Sequence, residues 1–179
     1  MNTWVRGVMV VIGFINLNVL VANAHAAEAP GFNGPQVCKD VPSKIPELGY
    51  TRGWTINDYG DGKSGCATSY YVIPGGSDTF AFYAGGLDPV TAKGIWLSIL
   101  VHDPAKGLAA RKLLADGAVT LIKEVLHTAP PSGFSQTVLT GQPKAWDLEG
   151  YKLELQLKEF PRGSEYRVVL RVPSYVAEW

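Results

Sequence analysis

The chain has 179 residues, 46% hydrophobic and 18% charged, the size and composition of one globular domain rather than a disordered tail. Its 16 Lys and Arg balance 16 Asp and Glu, so the cluster of unopposed cations that a general nucleic-acid binder needs is missing. No polynucleotide partner is expected.

Residues Met1 to Gly7 carry a single cation, Arg6, and Val8 to Ala22 run apolar except for Asn16 and Asn18. These are the n-region and h-region of a secretory signal, and Ala24-His25-Ala26 supplies the small-x-small pattern of a cleavage site. As a helix the apolar run covers roughly 22 Å, short of a hydrocarbon core of about 30 Å, which favours a cleaved signal over a retained anchor. The expectation is a signal over 1–26, a mature chain starting at Ala27 without a membrane span, and a periplasmic or secreted location. Loss of Arg6 leaves 15 basic and 16 acidic residues, a net charge of minus one.

From Ala27 to Leu48 the chain holds Pro30, Pro35, Pro42 and Pro46 and no apolar periodicity, which predicts an extended arm, followed by a single domain over 49–179. Cys38 lies in the arm and Cys66 in the domain. Two cysteines are too few for a zinc cage of Cys alone and lack Cys-x-x-Cys spacing, so in an exported chain they read as one disulfide pinning the arm.

Short β-like runs follow at Thr51 to Ile56, Ala67 to Ile73, Thr79 to Ala84 and Lys93 to His102, separated by Gly-, Asp- and Pro-rich turns. They suggest an antiparallel meander. Gly62-Lys63-Ser64 invites a phosphate-loop reading, but Asn57 stands where that motif has glycine and a strand follows instead of a helix. A calcium loop around Asp61 and Gly62 fails likewise, with Thr68 where the bidentate glutamate belongs.

Asp103-Pro104 has the form of an N-cap and first helical residue, opening a helix that is expected to run to about His127. Leu114, Ala118, Leu121, Ile122 and Val125 repeat on one side of it. Pro130-Pro131 ends it, and a shorter helix from Phe134 to Thr140 is expected, capped by Ser132 and terminated by Gly141. Tyr151, Leu153, Leu155 and Leu157 then alternate with polar residues. After the turn Pro161-Arg-Gly-Ser, Tyr166, Val168, Leu170 and Val172 alternate with Arg167, Val169 and Arg171, completing a hairpin. The order β-β-β-β-α-α-β-β predicts an α+β fold, an antiparallel sheet of about six strands with one long helix packed on one face.

No metal or cofactor is expected: His102 and His127, the two histidines beyond the signal, lack a His or Cys partner at ligand spacing. No Gly-x-Ser-x-Gly or His-Glu-x-x-His occurs. His102 beside Asp103 does not make an acid-base pair, because adjacent strand residues point to opposite faces. Aromatic residues remain as a signal, most of them core material. In the strand of Trp96, Ile95, Leu97, Ile99 and Val101 share one face and Trp96, Ser98, Leu100 and His102 the other. If the first set faces the helix, the second joins Arg167 and Arg171 on an open face. Trp96, His102, Arg167 and Arg171 are therefore the candidate binding residues, an aromatic with cations being the composition of a recognition surface.

The segment Phe80 to Val172, with Phe80-Ala-Phe-Tyr-Ala-Gly-Gly, Leu97-Ser-Ile-Leu-Val-His-Asp-Pro and Phe160-Pro-Arg-Gly-Ser-Glu-Tyr, resembles small exported proteins of Gram-negative bacteria of unassigned activity. The resemblance implies export and no catalytic residue. Function is expected to be non-enzymatic binding of a protein or envelope component, as an inhibitor, adaptor or envelope-associated module. The alternative is a small hydrolase acting on an envelope polymer, through an acid pair that no spacing in the sequence singles out.

Overall fold

The computed structural model describes residues 29–49, 51–56, 63–74, 77–103 and 107–176. The expected secretory signal, the turns at 57–62 and 75–76, Pro104 and Trp179 lie outside the described residues. The fold is α+β: β1 (Phe32–Asn33), α1 (Gly34–Lys44), β2 (Ser64–Ala67), β3 (Tyr71–Val72), β4 (Thr79–Gly86), β5 (Thr91–Ala92), β6 (Gly94–Val101), α2 (Gly107–Leu126), α3 (Phe134–Thr140), β7 (Lys144–Leu148), β8 (Tyr151–Phe160) and β9 (Gly163–Arg171). The main sheet has seven strands in the order β2-β4-β6-β9-β8-β7, with β3 pairing β4, and every pairing is antiparallel. A second, two-stranded sheet joins β1 to β5.

The alternating runs behave as a pleated strand dictates. Ile95, Leu97 and Ile99 of β6, Phe80 and Phe82 of β4, Val168 and Leu170 of β9, and Leu153 and Leu155 of β8 lie on one face and are buried. Against them α2 lays Leu114, Ala118, Leu121 and Ile122, also buried. Each large apolar side chain so removed from water contributes about 1.5–3 kcal/mol. Gly117 lets the helix approach: a Cβ there would stand 3.1 Å from Phe80 Cζ and 3.4 Å from Leu97 Cδ1. Beside α2, α3 buries Phe134 and Val138, and Phe134 meets the Trp146 ring edge-on at 5.2 Å.

Several local expectations are corrected. The Pro-rich segment is not an extended arm but contains α1, which buries Val37, Cys38 and Val41. Asn33 caps it, accepting from the Gln36 N–H at 3.1 Å, and Pro35 falls in the first turn where no donor is missed. Pro42 does sit inside the helix and cannot donate to the Cys38 carbonyl; the Thr51 hydroxyl donates to that oxygen instead, at 3.0 Å. The expected strand from Thr51 to Ile56 reduces to two isolated bridges, Thr51 with Thr68 and Thr55 with Gly65. The expected long helix is present: it spans Gly107–Leu126 and ends where expected, with His127 in the left-handed conformation (φ 52°) that closes it, while residues 104–106 lie outside the described residues. Ser132 is not the cap of α3: Gly133 occupies that position in the left-handed region without a side-chain bond, while Gly141 ends the helix as expected. Strands β1, β5 and β7 were not anticipated.

The expected disulfide is present. Cys38 of α1 bonds Cys66 of β2 with Cα atoms 6.2 Å apart, tying the helix to the edge of the sheet. Among the described residues no helix is long and apolar enough to cross a membrane.

Candidate functional site on the uncovered sheet face

The helices cover one face of the sheet, and residues of opposite parity form the other. Cross-strand register sorts that second face into rows: Tyr83, Trp96, Val169 and Glu154; Ala81, Ser98, Arg167 and Gln156; Thr79, Leu100, Glu165 and Lys158. Trp96 stands where strand parity puts it, half-buried on this face rather than in the helix-covered core.

The Trp96 and Tyr83 rings, direct neighbours across β4 and β6, stack with centroids 5.5 Å apart and planes 16° from parallel. The Tyr83 hydroxyl donates to the Tyr70 hydroxyl at 3.0 Å. Burial, with the Tyr70 hydrogen bond second, pushes the Tyr83 phenol far above its usual range, so it remains a neutral donor. The three aromatics form a ridge that borders two grooves, one of about 980 Å³ and one of about 940 Å³.

The first groove runs from the ridge over Ser98, Leu100, Arg167 and Glu165 to His102, and its far rim carries Lys158, Phe160 and Arg162. On its floor Arg167 donates from Nε and Nη2 to the two oxygens of Glu165 at 2.7 and 2.8 Å, a bidentate pair, and Ser98 Oγ donates to Glu165 Oε1 at 2.5 Å. Burial pulls the Glu165 carboxyl upward, but the Arg167 and Ser98 hydrogen bonds and the Arg167 charge outweigh it and hold the group below the usual carboxylate range. Glu165 is thus a fixed, ionised acceptor and not a proton donor at neutral pH.

At the end of this groove the His102 backbone N–H donates to Asp78 Oδ1 at 2.7 Å, the Asp103 N–H reaches the same oxygen at 3.4 Å, and His102 Nδ1 lies 3.9 Å from it. Asp78 is 1% exposed, and its Oδ2 has no hydrogen-bond partner among the described residues. This buried carboxylate fixes the exit of β6. No local signal marks it in the sequence, because the backbone it bonds lies 24 and 25 residues further along the chain.

Of the four candidate binding residues, Trp96, His102 and Arg167 line the same groove, and Arg171 does not. Arg171 donates to Glu154 Oε1 at 2.6 Å and to the carbonyls of Pro173 and Tyr175 at 2.9 Å each, folding the C-terminal segment back over the sheet. Tyr175 then covers the facing glycines Gly85 and Gly94; a Cβ on Gly94 would come within 2.8 Å of its ring. Arg171 is a clamp for that segment. Arg167 is likewise no rim charge, being only 17% exposed at the side chain. Tyr83 was overlooked, yet the alternation of Phe80, Phe82 and Ala84 against Ala81 and Tyr83 already assigns it to the face of Trp96.

Among the described residues no group of three or more His, Cys, Asp or Glu side chains could hold a metal ion. Compared with protein-family models, curated proteins and solved structures, the chain matches none.

Proposed function

We propose that this protein is a non-enzymatic binding module of the periplasm or the extracellular medium that holds a protein or envelope component against the uncovered sheet face, with Trp96 as the central anchor. The observation that carries this reading is the stacked Trp96 and Tyr83 pair, standing between two grooves on a sheet face that no helix covers among the described residues. The disulfide supports the location, since such bonds persist in oxidising compartments. Hydrolysis by an acid pair would need a second carboxylate facing the first, and among the described residues the first groove is lined by one, Glu165, whose Oε1 accepts from both Arg167 and Ser98.

The test is a tryptophan-fluorescence titration of the full chain with fractionated envelope extract. Trp96→Ala is expected to weaken the interaction about thirtyfold or more, the effect of losing a central aromatic anchor. A variant that binds as tightly as the parent removes the site from this face.

A further inference from the structure

We infer that the ligand of the first groove is an acidic oligosaccharide, a chain of hydroxyl-bearing rings with carboxylates at intervals; this rests on the binding role proposed above. Three parts of the groove ask for three different chemistries. The rim is cationic: Lys158 and Arg162 are exposed beside Phe160, and with Arg167 and Glu165 neutralising each other on the floor the lining carries two formal cations in excess. A chain with 16 basic and 16 acidic residues in all thus concentrates positive charge here, which draws an anion.

The floor asks for something else. Glu165 can only accept hydrogen bonds; its Oε1 already accepts from Arg167 and Ser98, and its Oε2 accepts from Arg167 alone, so Oε2 keeps one acceptor site. A phosphodiester offers acceptors alone and has no hydrogen to give that oxygen, whereas a sugar hydroxyl set between the carboxylates of the chain both donates and accepts. The ridge supplies the third part, aromatic surface on which the C–H face of a sugar ring can pack. From Val169, beside Trp96, to Gly163, beside Phe160, is six residue steps along β9, or about 20 Å at roughly 3.3 Å per step, the reach of an oligomer rather than of one ring. An extended peptide would be expected along a strand edge, where main-chain groups are unpaired, and this groove lies on a face.

The probe is a hexamer of 1,4-linked uronic acid, titrated into the full chain at 50 and 300 mM NaCl. Binding is expected, weakened severalfold at the higher salt as the rim charges are screened. The double variant Lys158→Ala/Arg162→Ala is expected to lose about tenfold for the uronate, and Trp96→Ala about thirtyfold. Equal affinity for the neutral glucose hexamer, tighter binding of oligothymidylate or oligoglutamate, or no uronate binding at all would overturn the inference. The binding role itself fails on a different result, an envelope ligand that Trp96→Ala leaves unaffected.

Discussion

Asp78 shows how a single side chain outside any regular element can position a site. Its carboxylate accepts the backbone N–H groups of His102 and Asp103 while being 1% exposed, so truncation leaves two donors without their partner. Asp78→Ala is expected to cost about 1.5–3 kcal/mol, the range for hydrogen bonds to a charged group, measured by urea denaturation at neutral pH. A loss under about 0.5 kcal/mol would mean that water replaces the carboxylate without penalty. Glu165 carries a pH signature. Its carboxyl is held below the ordinary value by Arg167 and Ser98, so its contribution to stability is complete above the unfolded-state pKa of about 4.3 and is lost as pH falls toward the lowered folded value. Glu165→Gln is accordingly expected to lower stability near neutrality and to flatten the fall in stability below about pH 4.3. Denaturation midpoints at pH 7 and pH 3 that shift equally in the variant would contradict that origin.

Among the elements, those with uninterrupted periodicity were legible in the sequence and those completed by distant partners were not. β8 alternates apolar with polar residues, β6 and β9 keep an apolar helix-facing set at every second position although Ser98 and Val169 of the opposite set are buried too, and α2 and α3 carry a clear apolar side and a terminating glycine or proline. α1 was hidden because its two prolines read locally as helix breakers. Pro35 is harmless in the first turn, and the acceptor stranded by Pro42 is satisfied by Thr51, thirteen residues from Cys38. β7 is an edge strand in which Trp146 and Leu148 are only half-buried, too short a pattern to separate from a loop. The same distinction divides the site: Trp96, His102 and Arg167 follow from parity alone, while the role of Arg171 depends on where the C-terminal segment folds. The Cys38–Cys66 bond joins the helix that sequence reading missed to a strand at the sheet edge. Closing a loop with a sequence separation of 28, it is expected to contribute about 3–4 kcal/mol through the unfolded chain. Guanidinium denaturation with and without reductant measures it, and an unchanged midpoint would show that α1 is held by packing alone.

At the scale of the molecule, one layer of helices lies on an antiparallel sheet, and the second sheet face, which among the described residues no helix covers, is finished by the C-terminal segment with Tyr175, by aromatic stacking and by Arg–Glu pairs. The Arg167–Glu165 and Arg171–Glu154 pairs are fourteen to nineteen per cent exposed, so they are largely shielded from solvent. A sheet finished this way can present fixed donors and acceptors around an apolar anchor. The whole functional reading rests on one division of β6 into a helix-facing set and an outward set. The most direct measurement is the unfolding free energy of Trp96→Ala beside that of Leu97→Ala. Leu97, fully buried under α2, is expected to cost about 2–5 kcal/mol on truncation, and Trp96 less than the roughly 3–5 kcal/mol of a buried aromatic, with its loss appearing in ligand affinity instead. If Trp96→Ala unfolds the protein while Leu97→Ala is tolerated, the two faces are exchanged and no recognition surface exists around Trp96.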